Sequence, residues 1–175
     1  KVNFLDAPIS GGQSGAENGT LSIMVGGNKQ SFIRSEELLK SYGKKIKFMG
    51  NSGSGQLTKI INQICIAGLI QGLSEAIYFM KQTDLSPEDV LEVISSGAAQ
   101  SWQMENRFTT MVENKFDFGF AVDLMRKDLS ITFEQAKEYG IDLEVTKIVD
   151  DFYSEIQKMG GNQFDTSSLV KRLIS

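Results

Sequence analysis

From about Gln56 to Gln82 the chain is apolar on nearly every side of a helical wheel. A helix of that kind is expected at the centre of a bundle rather than on its surface, so its neighbours must be helices that enclose it. The residues before it have a different character. Val2 to Leu5 is a short apolar run that reads as a strand, stopped by Asp6-Ala7-Pro8-Ile9-Ser10-Gly11-Gly12, where a proline and paired glycines open a loop. Leu21 to Val25 alternates around Ser22 and is closed by Gly26-Gly27, a second strand. Ser31 to Tyr42 carries Phe32, Ile33, Leu38 and Leu39 at helical spacing and stops at Gly43. Lys45 to Met49 alternates Ile46 and Phe48 with lysines and reads as a strand. Residues 1–50 are therefore mixed α/β, and after Gly50 strand patterns vanish.

Residues 51–175 read as all-helical. Ser86-Pro87-Glu88-Asp89 has a serine cap, proline at the first helical position and an acid three residues on, and this helix ends before Gly97. Trp102 to Asn114, Asp123 to Tyr139, Glu144 to Met159 and Thr166 to Ile174 complete the set, with Gly140 and Gly160 as stops. The fold class is thus α+β, with the strands confined to the first fifty residues. A strand beginning almost at Lys1, with no methionine before it, reads as a piece of a longer chain.

Composition narrows the function classes. A net charge of −4 with no long basic block, and aromatics that are not interleaved with Lys or Arg, argue against a nucleic-acid surface. The longest apolar run, Ile64 to Leu73, is interrupted by Gly68, Gln71 and Gly72 and falls short of the ~20 residues that cross a bilayer. The single cysteine, Cys65, excludes an intramolecular disulfide, reads as a small buried hydrophobe and points to a reducing compartment such as the cytoplasm. Histidine is absent, which removes Ser/His/Asp and Cys/His nucleophilic arrangements and makes a metal site improbable. Proton chemistry near neutral pH then falls to a perturbed Lys, Asp, Glu, Tyr or Cys.

The candidate is Lys59. With Asn62 and Gln63 it stands at i, i+3 and i+4, so the three project together from a helix otherwise filled by Ile60, Ile61, Ile64 and Ile66. An ammonium among such neighbours either snorkels to water or serves a site. A lysine whose pKa is lowered by apolar surroundings can exchange a proton with an alcohol oxygen, and two amides beside it can orient that oxygen. The loop at Ser10, Gly11 and Gly12 can bring bare backbone N–H groups close to an anion. Lys127-Asp128 reads by itself as a solvated helical charge pair. Trp102 and Asn106 read as a core tryptophan with a capping amide rather than as pocket lining, and Asp150 and Asp151 as a solvated helix face.

Three stretches, Asp6 to Gly12, Gly53 to Gln63 and Gly119 to Leu129, share an order and spacing with the 3-hydroxyisobutyrate dehydrogenase family of β-hydroxyacid dehydrogenases, the 6-phosphogluconate dehydrogenase-like group. The chain resembles that family over essentially its whole length. Asp6-Ala7-Pro8-Ile9-Ser10-Gly11-Gly12 is similar to the loop that binds the substrate carboxylate, with Ile in place of Val. Gly19-Thr20-Leu21-Ser22-Ile23-Met24-Val25-Gly26-Gly27 matches the segment that follows it. Gly53, Gly55, Lys59, Asn62 and Gln63 fit the start of the catalytic helix, and Lys127-Asp128-Leu129 fits a stretch whose lysine reaches the nicotinamide cofactor.

The resemblance implies Lys59 as the catalytic acid and base, Ser10, Gly11, Gly12, Asn62 and Gln63 as substrate-binding residues, and Lys127 as a cofactor-binding residue. It further implies NAD or NADP, a small carboxylate-bearing β-hydroxyacid or semialdehyde such as 3-hydroxyisobutyrate or tartronate semialdehyde, and a homodimer or homotetramer. In these terms residues 1–50 are the last strands and a helix of a Rossmann-type domain, and residues 51–175 an all-helical substrate and oligomerisation domain. The dinucleotide fingerprint G-x-G-x-x-G does not occur in the chain, so the expectation is a C-terminal part that is inert alone. The rival expectation is a noncatalytic metabolite-binding or dimerisation module derived from the same family.

Overall fold

The computed structural model describes residues 2–174, which divide into two compact units, one ending at Gln63 and the other beginning at Ile64. The first unit is built on a four-stranded sheet: β1 (Leu5–Asp6), β2 (Ile9–Ser10), β3 (Leu21–Gly27) and β4 (Gly43–Gly50). β1 and β2 both run antiparallel to β3, with Leu5 opposite Gly27 and Ile9 opposite Ile23. They amount to one strand broken at Ala7-Pro8, where proline has no N–H to donate but its carbonyl still accepts from the Met24 N–H at 3.0 Å. β4 lies parallel to β3 on its other edge, with Ile23 opposite Ile46. Such a parallel pair requires a crossover, supplied by α2 (Lys29–Leu39), whose first turn is capped by the Asn28 side chain accepting from the Ser31 N–H. Leu21, Ile23, Val25 and Leu39 form the core of this unit, with Phe32 and Ile46 against it.

Two expectations for this unit need correction. Residues 2–4 carry no strand, because the pairing with β3 begins only at Leu5. The segment after the paired glycines is a short helix, α1 (Gly12–Glu17), not an open loop. Gly11 and Gly12 have φ of 132° and 61°, and these left-handed conformations turn the chain out of β2 and into α1.

Helix α3 (Ser54–Met80) begins in the first unit and continues into the second. Five further helices follow: α4 (Pro87–Ser95), α5 (Trp102–Val112), α6 (Val122–Glu138), α7 (Glu144–Lys158) and α8 (Lys171–Ile174), the last preceded by a 3-10 turn over Thr166–Val170. The second unit has two clusters. Ala67 and Ile70 pack with Val122, Met125 and Leu129 of α6 and with Val149, Tyr153 and Ile156 of α7. Leu73, Ile77 and Met80 pack with Met104, Phe108 and Met111 of α5. Arg126 ties α6 to α7, donating to both carboxylate oxygens of Asp150 at 3.0 and 3.1 Å. Asp150 is therefore a half-buried tie and not a solvated face.

The central helix is less enclosed than its composition suggests. By length and composition α3 is long and apolar enough to cross a bilayer, contrary to the estimate from contiguous runs, yet only 39% of its most apolar window is buried. Every third or fourth residue, at 67, 70, 73, 77 and 80, is seated in the clusters. Ile61, Cys65, Gly68, Leu69, Gly72 and Phe79 lie exposed along the other side. Cys65 is therefore exposed instead of buried. Trp102 is likewise half-exposed at 50%, not a core residue: its ring carries the Arg107 guanidinium at 4.9 Å. The Asn106 amide does bond back to the Trp102 carbonyl, at 2.9 Å.

Candidate active site

Two of the three motifs meet within the first unit. The Ser10 hydroxyl donates to Asn62 Oδ1 at 3.5 Å, a long hydrogen bond across 52 residues of sequence. Asn62 passes the link on, its amide donating to Gln63 Oε1 at 2.8 Å. Gln63 is 2% exposed. Its side-chain oxygen accepts from the neighbouring Asn62 amide and so helps to hold it. Lys59 stands one turn before Asn62 on α3 and is partly buried. Gly11 and Gly12 follow Ser10 directly and are exposed, with no side chain to block an approach to their backbone.

A second tie binds the same two stretches. The Asp6 carboxylate accepts from the Gly53 N–H at 2.8 Å, just before α3, and from the Gln56 N–H at 3.1 Å in its first turn. Helix N-termini leave such donors without intrahelical partners, and an anion there is favourable on both hydrogen-bonding and dipole grounds. Asp6 is 6% exposed, and its carboxylate sits where a Cβ on Gly26 would lie 2.5 Å from it. A Cβ on Gly55 would collide with it as well. The spacing Gly53-x-Gly55 is thereby explained: Gly53 supplies a φ of 92°, and Gly55 the room for the Met24 carbonyl and Asp6. Sequence reasoning missed Asp6 as anything beyond part of a loop; glycines at 26, 53 and 55 were the available signal.

The third motif lies in the second unit. Lys127, 62% exposed at its side chain, forms an ion pair with Asp128 at 2.9 Å. The loop leading into its helix is held by Asp165, 1% exposed, which accepts from the Phe120 N–H at 2.9 Å and from Arg107 Nε at 3.1 Å. Arg107 is itself flanked by the Trp102 and Phe118 rings. As chemistry, the first unit offers a hydroxyl, two amides, bare backbone and an amine, a set suited to a small oxygenated molecule and to proton exchange with it.

Comparison with known proteins fits this arrangement. Residues 53–173 match the family model described as the NAD-binding region of NADP-dependent 3-hydroxyisobutyrate dehydrogenase, and residues 1–50 that of the NAD-binding domain of 6-phosphogluconate dehydrogenase. The chain belongs to the 3-hydroxyisobutyrate dehydrogenase family. Among curated members it is 54% identical to an uncharacterized oxidoreductase of Shewanella frigidimarina, with 98% of this chain and 59% of that protein covered. It is 37% identical to the 2-hydroxy-3-oxopropionate reductase of Escherichia coli, at the same coverages of 98% and 59%. Among solved structures, the 3-hydroxyisobutyrate dehydrogenase of Mycobacterium tuberculosis with L-serine superposes with a TM-score of 0.87 at 28% identity, over 98% of this chain and 61% of that one. The chain thus spans about three-fifths of the length of these relatives. Its fold is accordingly that of the last strands of a Rossmann-type domain followed by the family's helical domain.

Proposed function

We propose that this chain carries the substrate-binding and proton-transfer part of an NAD(P)-dependent oxidoreductase acting on a small β-hydroxyacid or its semialdehyde. The observation that carries this reading is the Ser10–Asn62 hydrogen bond, which joins the glycine loop to the helix of Lys59. Ser10 and the N–H groups of Gly11 and Gly12 receive the substrate carboxylate. Asn62, held by Gln63, orients the substrate hydroxyl, and Lys59 takes its proton on oxidation and returns it on reduction. Residues 1–50 then close the cofactor-binding domain, and residues 51–175 form the substrate and oligomerisation domain of a homodimer or homotetramer.

A nicotinamide cofactor, when bound, supplies or accepts the hydride. The residues in hand fit it in part: Lys127, in the second turn of α6, has a largely exposed side chain, whereas G-x-G-x-x-G, the usual pyrophosphate cradle, is absent from the sequence. Lys127 is therefore assigned to the nicotinamide end only, and the dinucleotide is held chiefly by the remaining two-fifths of the relatives' length.

The test is steady-state kinetics of the full-length enzyme with NAD(H) and NADP(H) against a panel containing 3-hydroxyisobutyrate and 2-hydroxy-3-oxopropionate. Lys59→Ala is expected to lower kcat by about 10²–10⁴-fold with the fold retained. Turnover close to that of the unmodified enzyme would overturn the assigned role, and no turnover of any panel member by the unmodified enzyme would favour a metabolite-binding module.

A further inference from the structure

Resting on the reading above, we infer that Asp6 is a positioning residue for proton transfer: it fixes the helix that bears Lys59 against the loop that receives the substrate. The helix is attached to the loop at two points. At its start, Gly53 and Gln56 donate to Asp6, 47 and 50 residues earlier in the chain. Further along, Asn62 accepts from Ser10. Lys59 lies midway, three residues after Gln56 and three before Asn62, roughly 4.5 Å of helical rise from each. Asp6 and Ser10 are in turn both fixed to β3, through the pairs Asp6–Gly26 and Ser10–Ser22. The strand thus serves as a ruler against which the helix is set at either side of the lysine.

The site is shaped for a carboxylate in particular. Both of its oxygens are used by backbone donors, so an asparagine, with one acceptor and an NH₂ in place of the other, turns one of these bonds into a clash of two donors. Gly26 on β3 and Gly55 on α3 both lie against the carboxylate, and a Cβ on either would collide with it. Reaction rates respond steeply to placement: about 1 Å of displacement at a reacting group costs on the order of 10²-fold. The Asp6 carboxylate is not itself assigned any contact with substrate, and it acts through the helix.

A double-mutant cycle on kcat of the full-length enzyme tests this, using the best substrate of the panel and the variants D6N, K59A and D6N/K59A. The expected result is a 10- to 100-fold loss of kcat for D6N, with KM within about threefold, unchanged far-UV circular dichroism, and little further loss when D6N is added to K59A. A purely structural Asp6 would lower the melting temperature and leave kcat of the folded enzyme unchanged, or lower it equally in both backgrounds; either result overturns the inference while leaving Lys59 in place. If K59A retains turnover, the proposed function fails, and Asp6 has no catalytic lysine to position. Should D6N not be obtained folded, D6S, which fits the same space and keeps one acceptor, takes its place in the cycle.

Discussion

At the scale of single residues, what the sequence makes legible is periodic, and what it hides is a contact across distance. Lys59, Asn62 and Gln63 share a helix, so their convergence follows from spacing alone. Asp6 does not: its partners lie 47 and 50 residues on, and nothing in the local pattern distinguishes it from a loop aspartate. Tyr153 is a second instance. Its phenol is fully buried among Ala67, Val149 and Leu169, and its hydroxyl forms no hydrogen bond of normal geometry among the described residues, although the Thr166 side chain beside it acts to lower its pKa. Burial, and after it the negative charge of Asp165, hold its pKa well above the ordinary 10.0. Because the folded state favours the neutral phenol, this stabilisation is complete below pH 10 and is lost as the pH climbs from there towards the raised value. Tyr153→Phe removes the titrating group, so the alkaline unfolding midpoint is expected to move upward in a circular-dichroism titration. At neutral pH the substitution should cost less than ~1 kcal/mol, since no hydrogen bond of normal geometry is broken. An unchanged alkaline midpoint would show that another group drives the transition.

At the scale of elements, the Ser86 cap is read from the sequence, whereas the long-range ties at other helix starts are not. Asn28, Ser86 and Ser101 each accept from the N–H three residues later, and the helices they open begin within two residues of the positions expected from sequence. α3 and α6 follow a different rule, since each is approached through a glycine-bearing turn held by a buried aspartate from elsewhere, Asp6 for the first and Asp165 for the second. The short β1 and β2 were misjudged for a related reason: hydrophobicity at Val2 to Phe4 does not report which residues have a partner strand. Two glycines separate backbone strain from crowding. Gly140, at φ 66°, has open space where a Cβ would stand, whereas at Gly119, φ 77°, that atom would collide with the Asp165 carboxylate and come within 3.0 Å of Arg107. Gly140→Ala should therefore cost only the left-handed backbone penalty, about 1–2 kcal/mol. Gly119→Ala is expected to cost more than that by ~2 kcal/mol or beyond, because it also displaces a buried ion pair. For a chain of this length the difference corresponds to a further fall in Tm of about 4–8 °C. Equal melting temperatures would mean that the Asp165 cradle yields without cost.

For the whole molecule, the informative fact is the division of labour between what these residues hold and what they lack. The glycine loop and the helix of Lys59 are joined in the first unit, and the helical unit has two apolar clusters of its own. Dinucleotide affinity is another matter. It rests largely on a glycine-rich turn at a helix N-terminus that cradles the pyrophosphate, and no G-x-G-x-x-G exists in these 175 residues. Lys127, 62% exposed at its side chain and already paired with Asp128, would in its proposed role contribute a screened surface charge of about 1 kcal/mol at most. Micromolar binding requires about 8 kcal/mol, far more than such a contact provides. Residues 1–175 expressed by themselves are therefore expected to fold but to bind NADH and NADPH no tighter than about millimolar, and to give no turnover with any panel substrate. Isothermal titration and cofactor fluorescence measure the first, and an absorbance assay the second. Micromolar affinity for either nucleotide would place a cofactor site within this chain and overturn the division argued above.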